Sequence, residues 1–524
     1  MRRPVFAAPR DRPRLGDPSL RVAQGISAPA LSPDAKSIAF VALNDLWVMK
    51  IGETPVRLTQ DFDREASPQW TRDGSAVYFS SDRANAGSFA VDRIDVSTQT
   101  RTRLARITGV SIITPTLSPS EDRLAYTIGS GQLEIMEVAS KTRTPIVAPA
   151  GSGPQVSRPT WSADGTKVML VDNEQFNPRF REGYNRLRVV DIATKTPILY
   201  PVGPAPESVA DREEGAAVWS PDGTKVAFIG DSVLKVMPTN ADGSPAGPAV
   251  AITSTAADMP SWAADSRTLL YMASGKLRTI NADGSGVRDV AVDIPWTPGG
   301  PAGITIIRAG ALWTGVSETL LSDVDITITG NRITVIGPHQ ANANALADTY
   351  LDASGLTVMP GLWEPHFHPS NVLVGGQFNQ SWAALFAYGI TSVQSVGGPV
   401  YSSTEIREAL EAGNLVGPRL FTSSPLLEGN RSFYNFGRTV RSPEIADLEI
   451  DRYRSVNIDF IKSYVRAPIP VMARLAKAAH AMGIPSGTHL LTPGSAMGIG
   501  GLTHLQATQR MGYGFAKSPA GVPY

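Results

Sequence analysis

WSPDGTKVAF, residues 219–228, decides the fold, because it is one of six versions of the same phrase. The others are LSPDAKSIAF from Leu31, WTRDGSAVYF from Trp70, LSPSEDRLAY from Leu117, WSADGTKVML from Trp161 and WAADSRTLLY from Trp262. In each, a short apolar strand meets a Pro-Asp-Gly or Asp-Gly type turn. Residues there tolerate left-handed backbone and reverse the chain into an alternating second strand such as Lys225-Val-Ala-Phe228. The fourth letters, Asp34, Asp73, Ser120, Asp164, Asp222 and Asp265, stand 39, 47, 44, 58 and 43 residues apart. Those intervals are of the order of the ~40–50 residues of a four-stranded propeller blade. Third and fourth strands follow, as in Asp45-Leu-Trp-Val-Met49 and Pro55-Val-Arg-Leu58. A two-sheet sandwich has no reason to repeat one turn phrase six times, so residues 25–297 read as a six-bladed β-propeller behind an N-terminal extension, 1–24.

Composition narrows the function. The 524 residues carry 48 Lys+Arg against 48 Asp+Glu, which gives no electrostatic case for nucleic acid or an anionic membrane. Cysteine is absent, and with it disulfides, thiolate metal sites and cysteine nucleophiles; the compartment stays open. No stretch approaches the about 20 apolar residues of a membrane helix, and the basic start MRRPVFAAPRDRPRLGDPSL lacks the apolar run of a signal peptide.

After the linker Pro295-Trp-Thr-Pro-Gly-Gly-Pro301 the repeat stops. Residues 303–337 alternate like strands of a small sheet, and the unit 298–355 reads as part of a β-sandwich. From 356 the rhythm is strand then helix, with strands at 356–366, 389–397, 418–425, 457–465, 484–491 and 501–506 and the best helices at 403–413, 443–455 and 468–481. Strands alternating with helices predict a parallel sheet, here about six units of an incomplete (β/α)8 TIM barrel over 356–524.

The chain has six histidines: His339, His366, His368, His480, His489 and His504. His366 and His368 are two apart at the end of a strand, so both imidazoles reach the same side of the barrel mouth. His489 and His504 end the next-to-last and last strands. Four imidazoles at one mouth each need a polar partner, and a shared metal ion is the economical one. His480, on a helix between alanines, and His339, after Gly337-Pro338, read as residues outside the site.

The order GNRITVIGP, LDASGLTVMPGLWEPHFHP, NIDFIKSYVR, AAHAMGIPSGTH and THLQATQRMGY resembles the amidohydrolase superfamily, in its imidazolonepropionase-like and Xaa-Pro dipeptidase-like branch. The propeller phrase resembles the TolB-type (PD40) repeat, a fusion found ahead of such domains. The resemblance implies one or two divalent metal ions, zinc first among them, on His366, His368, Lys462, His489 and His504. Lys462 matches a lysine that many relatives carry as a carbamate, which requires the neutral amine. Without the histidines it would read as a lysine snorkelling from a strand end. Tyr464 and Arg466 share the parity of Lys462 and are candidate catalytic residues, a hydroxyl for an oxyanion and a fork for a substrate carboxylate; a surface ion pair stays open as the alternative. Glu364, two before His366, is expected to orient an imidazole.

The pattern breaks after Asp459, beyond which there is no Asp or Glu, so the family's strand-eight aspartate has no counterpart. The expectation is therefore a truncated hydrolase of amide, peptide or cyclic amide C–N bonds, weak or inactive as it stands, acting by metal-activated hydroxide on a small-molecule or peptide substrate. The alternative is a propeller that binds a protein or peptide, with the partial barrel as a passive appendage. A serine peptidase is excluded for want of a GxSxG elbow. The TolB-type resemblance implies a periplasmic or secreted location.

Overall fold

Six four-stranded antiparallel sheets follow one another from Ser27 to Val290 in a computed structural model that describes residues 19–85, 87–129, 131–150, 157–175, 183–369 and 378–503. Their innermost strands begin at Ser27, Glu65, Ile113, Thr160, Val218 and Ala257, and each touches the next, the sixth returning to the first. That closed ring is the six-bladed propeller.

The repeated phrase is the hairpin between the first and second strands of each blade. Its left-handed residue is Ala35, Gly74, Glu121, Gly165, Gly223 or Ser266, all with φ between 52° and 75°. Asp164 shows what the preceding aspartate does: it accepts from Ser162 Oγ at 2.6 Å and from Thr166 N at 3.0 Å, which hold its carboxyl down at about 2. In the third blade Ser120 takes the aligned position, and Asp122 accepts from Ser118 Oγ and Ser120 Oγ instead. Ala35 adopts φ 59° where glycine is favoured. Ala35→Gly should therefore raise stability by about 1 kcal/mol, read as a higher urea midpoint; a lower midpoint would refute it.

The N-terminal extension is corrected at its end. Arg21–Val22 pairs with Pro295–Trp296, so chain entering and leaving the propeller forms a two-stranded ribbon across the closure. Its short length and irregular composition hide it from periodicity.

Past the propeller, Arg332–Pro338, Leu321–Thr329, Ile304–Leu312 and Thr349–Val358 form one sheet in that order, the last pair parallel. The strand expected at 356–366 is corrected: it is two strands, because Thr349–Val358 ends this sheet and Leu362–Phe367 opens another. Pro360, with no N–H for a ladder, sits in the break. Ile333, Val335, Leu351 and Leu356 of this sheet are exposed.

The remaining strands are parallel. Leu362–Phe367, Ile390–Ser395 and Arg419–Phe421 form one sheet, and Ile461–Lys462, Ser486–Thr488 and Gly501–Leu502 another, linked by a parallel bridge between Ser423 and Phe460. Helices Val400–Ala412, Pro443–Ser455 and Ile469–Met482 lie between strands. Ser442 caps the second with Pro443 at its first turn, as the sequence of a helix start demands. Among the described residues the strands do not close into a ring.

Propeller and parallel segment share one hydrophobic core, in which Phe40, Leu270 and Met272 pack with Val400, Tyr401, Ile450 and Leu475. Polar contacts lock the seam. Glu214 accepts from the backbone N–H groups of Val400, Tyr401 and Ser402, a carboxylate at a helix N-terminus. Glu405 of that helix pairs with Arg64, and Glu408 accepts from Gln24 N and Gly25 N. Gly25 is obligatory there: a Cβ would stand 2.3 Å from the Glu405 backbone.

Candidate functional site

The first parallel strand carries His366 and ends at Phe367, and His368 follows. Their ring centroids are 5.2 Å apart. His368 Nδ1 stands 2.8 Å from the Gly397 carbonyl, which can only accept, so Nδ1 bears the proton and the Nε2 lone pair points away from that bond. Glu364 is corrected. Its Oε1 accepts from the His366 backbone N at 2.8 Å rather than from an imidazole, because strand residues two apart let a carboxylate fold back on its own main chain.

The other group gathers on Thr503. Lys462 is completely buried and donates from Nζ to Thr503 Oγ1. Thr503 Oγ1 in turn donates to the Thr488 carbonyl at 3.2 Å and lies 3.0 Å from His489 Nδ1. With its own proton committed, Thr503 accepts from His489, placing that ring's proton on Nδ1 as well. No carboxylate lies within ion-pair distance of the amine among the described residues, and burial holds its pKa well below 10.5. Thr503 had no signal in the sequence, since a hydroxyl beside a histidine has no pattern of its own.

Tyr464 and Arg466 come from a turn, not from the strand. The strand ends at Lys462, and Ala467 N bonds back to Tyr464 O, so the alternation that would aim both side chains with Lys462 does not reach them. Tyr464 nevertheless meets the site: it is buried, with its ring 4.5 Å from that of His489. Arg466 is half-buried and pairs with Glu428 at 3.6 Å.

The two groups stand at opposite ends of an aromatic layer. His368 contacts Phe436 at 5.5 Å, Phe436 contacts Tyr434 at 5.4 Å, and Tyr434 contacts Tyr464 at 5.9 Å. Among the described residues no three His, Asp or Glu side chains are close enough to hold a metal ion together. His504 lies outside the described residues. His480 is exposed at the end of its helix, and His339 Nδ1 pairs with Asp325 at 2.9 Å.

Two imidazoles on one tetrahedral ion at about 2.0–2.1 Å would hold their ring centres about 5 Å apart, which the His366–His368 spacing of 5.2 Å matches. The nitrogen donors and buried amine fit a divalent ion of borderline softness.

Residues 20–197 match the TolB beta propeller domain (PD40). No curated protein matches the chain. Among solved structures it is similar to TolB from Acinetobacter baumannii, at 18% identity and TM-score 0.38 over 53% of this chain and 67% of that one. A Xaa-Pro dipeptidase with bound methionine in the active site is similar at 21% identity and TM-score 0.33, over 39% of this chain. The match spans 63% of that dipeptidase's length. The tricorn protease is similar at 13% identity and TM-score 0.39, over 58% of this chain and 29% of that one. No helix among the described residues is long and apolar enough to cross a membrane. The N-terminal part of the chain carries a TolB-type β-propeller domain.

Proposed function

We propose that the parallel strands and helices from Leu362 onward are an incomplete (β/α)8 barrel of the amidohydrolase type, and that this region descends from a hydrolase of amide, peptide or cyclic amide C–N bonds. One observation carries this reading: a completely buried lysine without a carboxylate partner among the described residues, joined through Thr503 to a histidine whose Nδ1 is tied up. That is the setting in which an amine stays neutral and available for carbamate formation.

His366, His368, Lys462 and His489 would hold one or two divalent ions, zinc first, with His504 as a further ligand. When bound, such an ion supplies Lewis acidity and a lowered water pKa. Gly397 and Thr503 orient the imidazoles so that Nε2 is the ligating nitrogen. Tyr464 donates its hydroxyl to a developing oxyanion, and Arg466, steadied by Glu428, grips a substrate carboxylate. The domain's TolB-type propeller favours a periplasmic or secreted location.

The test is metal analysis. Purified protein equilibrated with zinc should retain at least one ion per chain, and His366→Ala/His368→Ala should lose it with an unchanged melting profile. Wild-type protein that retains none would overturn the hydrolase lineage. The second reading, a propeller that binds a protein or peptide, is favoured by Arg158, which lines a cavity bordered by the inner strands of the blades.

A further inference from the structure

The propeller encloses a cavity of 160 Å³ along its axis. Six of its lining residues, Ala28, Ser67, Thr114, Arg158, Ala216 and Met259, hold the same place in the repeat, each six positions ahead of the turn's fourth letter. In four blades this residue is a bulge with left-handed backbone: φ is 47° at Ala28, 51° at Ser67, 49° at Thr114 and 52° at Met259. A bulge re-aims its side chain, here toward the axis. Five of the six are uncharged, and the fourth blade alone supplies an arginine.

Arg158 is half-buried and poorly compensated. Its Nη2 donates to Gln69 Oε1 at 2.5 Å, and its Nε is buried without a hydrogen bond. Among the described residues no carboxylate comes within 4 Å of the guanidinium, which cannot shed its proton to escape the cost of burial. The other charged lining groups are already engaged. Arg64 pairs with Glu405 at 2.6 Å, and Glu214 pairs with Arg452 at 2.9 Å while capping the Val400–Ala412 helix. Glu213 accepts from Asn435, and burial raises its carboxyl to about 8, so at neutral pH it is protonated. Ser402 lines the cavity, so that helix's N-terminus closes one end of the channel.

We propose that the propeller channel is a carboxylate-binding site anchored on Arg158, taking the C-terminus of a short peptide or a free small acid. One guanidinium without a carboxylate within 4 Å among the described residues selects a monoanion over a phosphate dianion, and its planar fork matches a carboxylate.

Calorimetric titration of the full chain tests this with N-acetyl-Ala-Ala, its C-terminal amide, acetate and inorganic phosphate. The acid dipeptide should bind saturably at millimolar concentration or below, at least tenfold tighter than its amide and tighter than phosphate. Arg158→Gln should weaken it at least tenfold, and Ser67→Trp, which fills the channel without touching the charge, should abolish it. Acetate binding as tightly as the dipeptide assigns the site to free acids; weaker acetate assigns it to peptide C-termini. No saturable binding, equal binding of the amide, or preference for phosphate overturns the proposal. The comparison of acid with amide uses the unaltered protein, so it decides even if a variant misfolds. It is also independent of zinc retention at the histidines.

Discussion

Arg438→Met should cost about 3–5 kcal/mol of stability, read as a large drop in urea midpoint, because it removes one partner from a buried charge cluster. Arg438 is fully buried at the seam between propeller and parallel segment. It pairs with Asp211 at 2.6 Å and Asp258 at 2.9 Å from the propeller, and with Glu449 at 2.8 Å from the Pro443–Ser455 helix. Arg452 adds pairs with Glu214 at 2.9 Å, Asp258 at 3.0 Å and Glu449 at 2.9 Å. Four carboxylates thus face two guanidiniums, and burial raises Asp258 to about 7 despite both arginines. Without Arg438 the remaining carboxylates are under-compensated, and they can relieve this only by taking up protons. The cost of the substitution should therefore be larger at pH 8 than at pH 5. A loss below about 1 kcal/mol, the value of an exposed pair, would mean that water reaches the seam.

Lys462→Met should reduce zinc retention at least tenfold without destabilising the protein near neutral pH. The reason lies in the burial of an amine whose described partner is the Thr503 hydroxyl. Burial lowers the folded-state pKa well below 10.5, so between that lowered value and 10.5 the unfolded chain binds the proton and the folded chain does not. Wild-type stability should then rise with pH across that window, and Lys462→Met should lack this slope, gaining most over wild type at the acidic end. In ¹³C-bicarbonate, a carbamate resonance should be present in wild type and missing in the variant. Full zinc retention by Lys462→Met would remove the lysine from the site. A difference in stability that ignores pH would show an ammonium with a charge partner.

Several side chains mark where pattern reading stops. Glu405 and Glu408 fall on what would be the solvated face of an amphipathic helix, yet both are buried, because Asn44, Arg64 and the chain at Gln24–Gly25 lie against that face. Spacing of apolar residues locates the helix but not what covers its polar side. Likewise Tyr464 and Arg466 have the right parity for one face of a strand, but a strand only two residues long at Ile461–Lys462 cannot impose it. The seam arginines carry no sequence signal, since Asp211, Asp258 and Glu449 come from places far apart in the chain.

The repeat alone determined the propeller: one turn phrase recurring six times dictates six hairpins, and each needs its neighbours to bury an apolar face. The alternation of strands and helices and the pair His366 and His368 were legible for the same reason, being local. Only the tertiary structure decided that Thr503 joins Lys462 to His489, that the propeller and parallel segment share a core sealed by Arg438 and Arg452, and that Arg158 faces the channel. Those depend on which distant segments meet and on what burial does to a charge there, and neither is written in local periodicity.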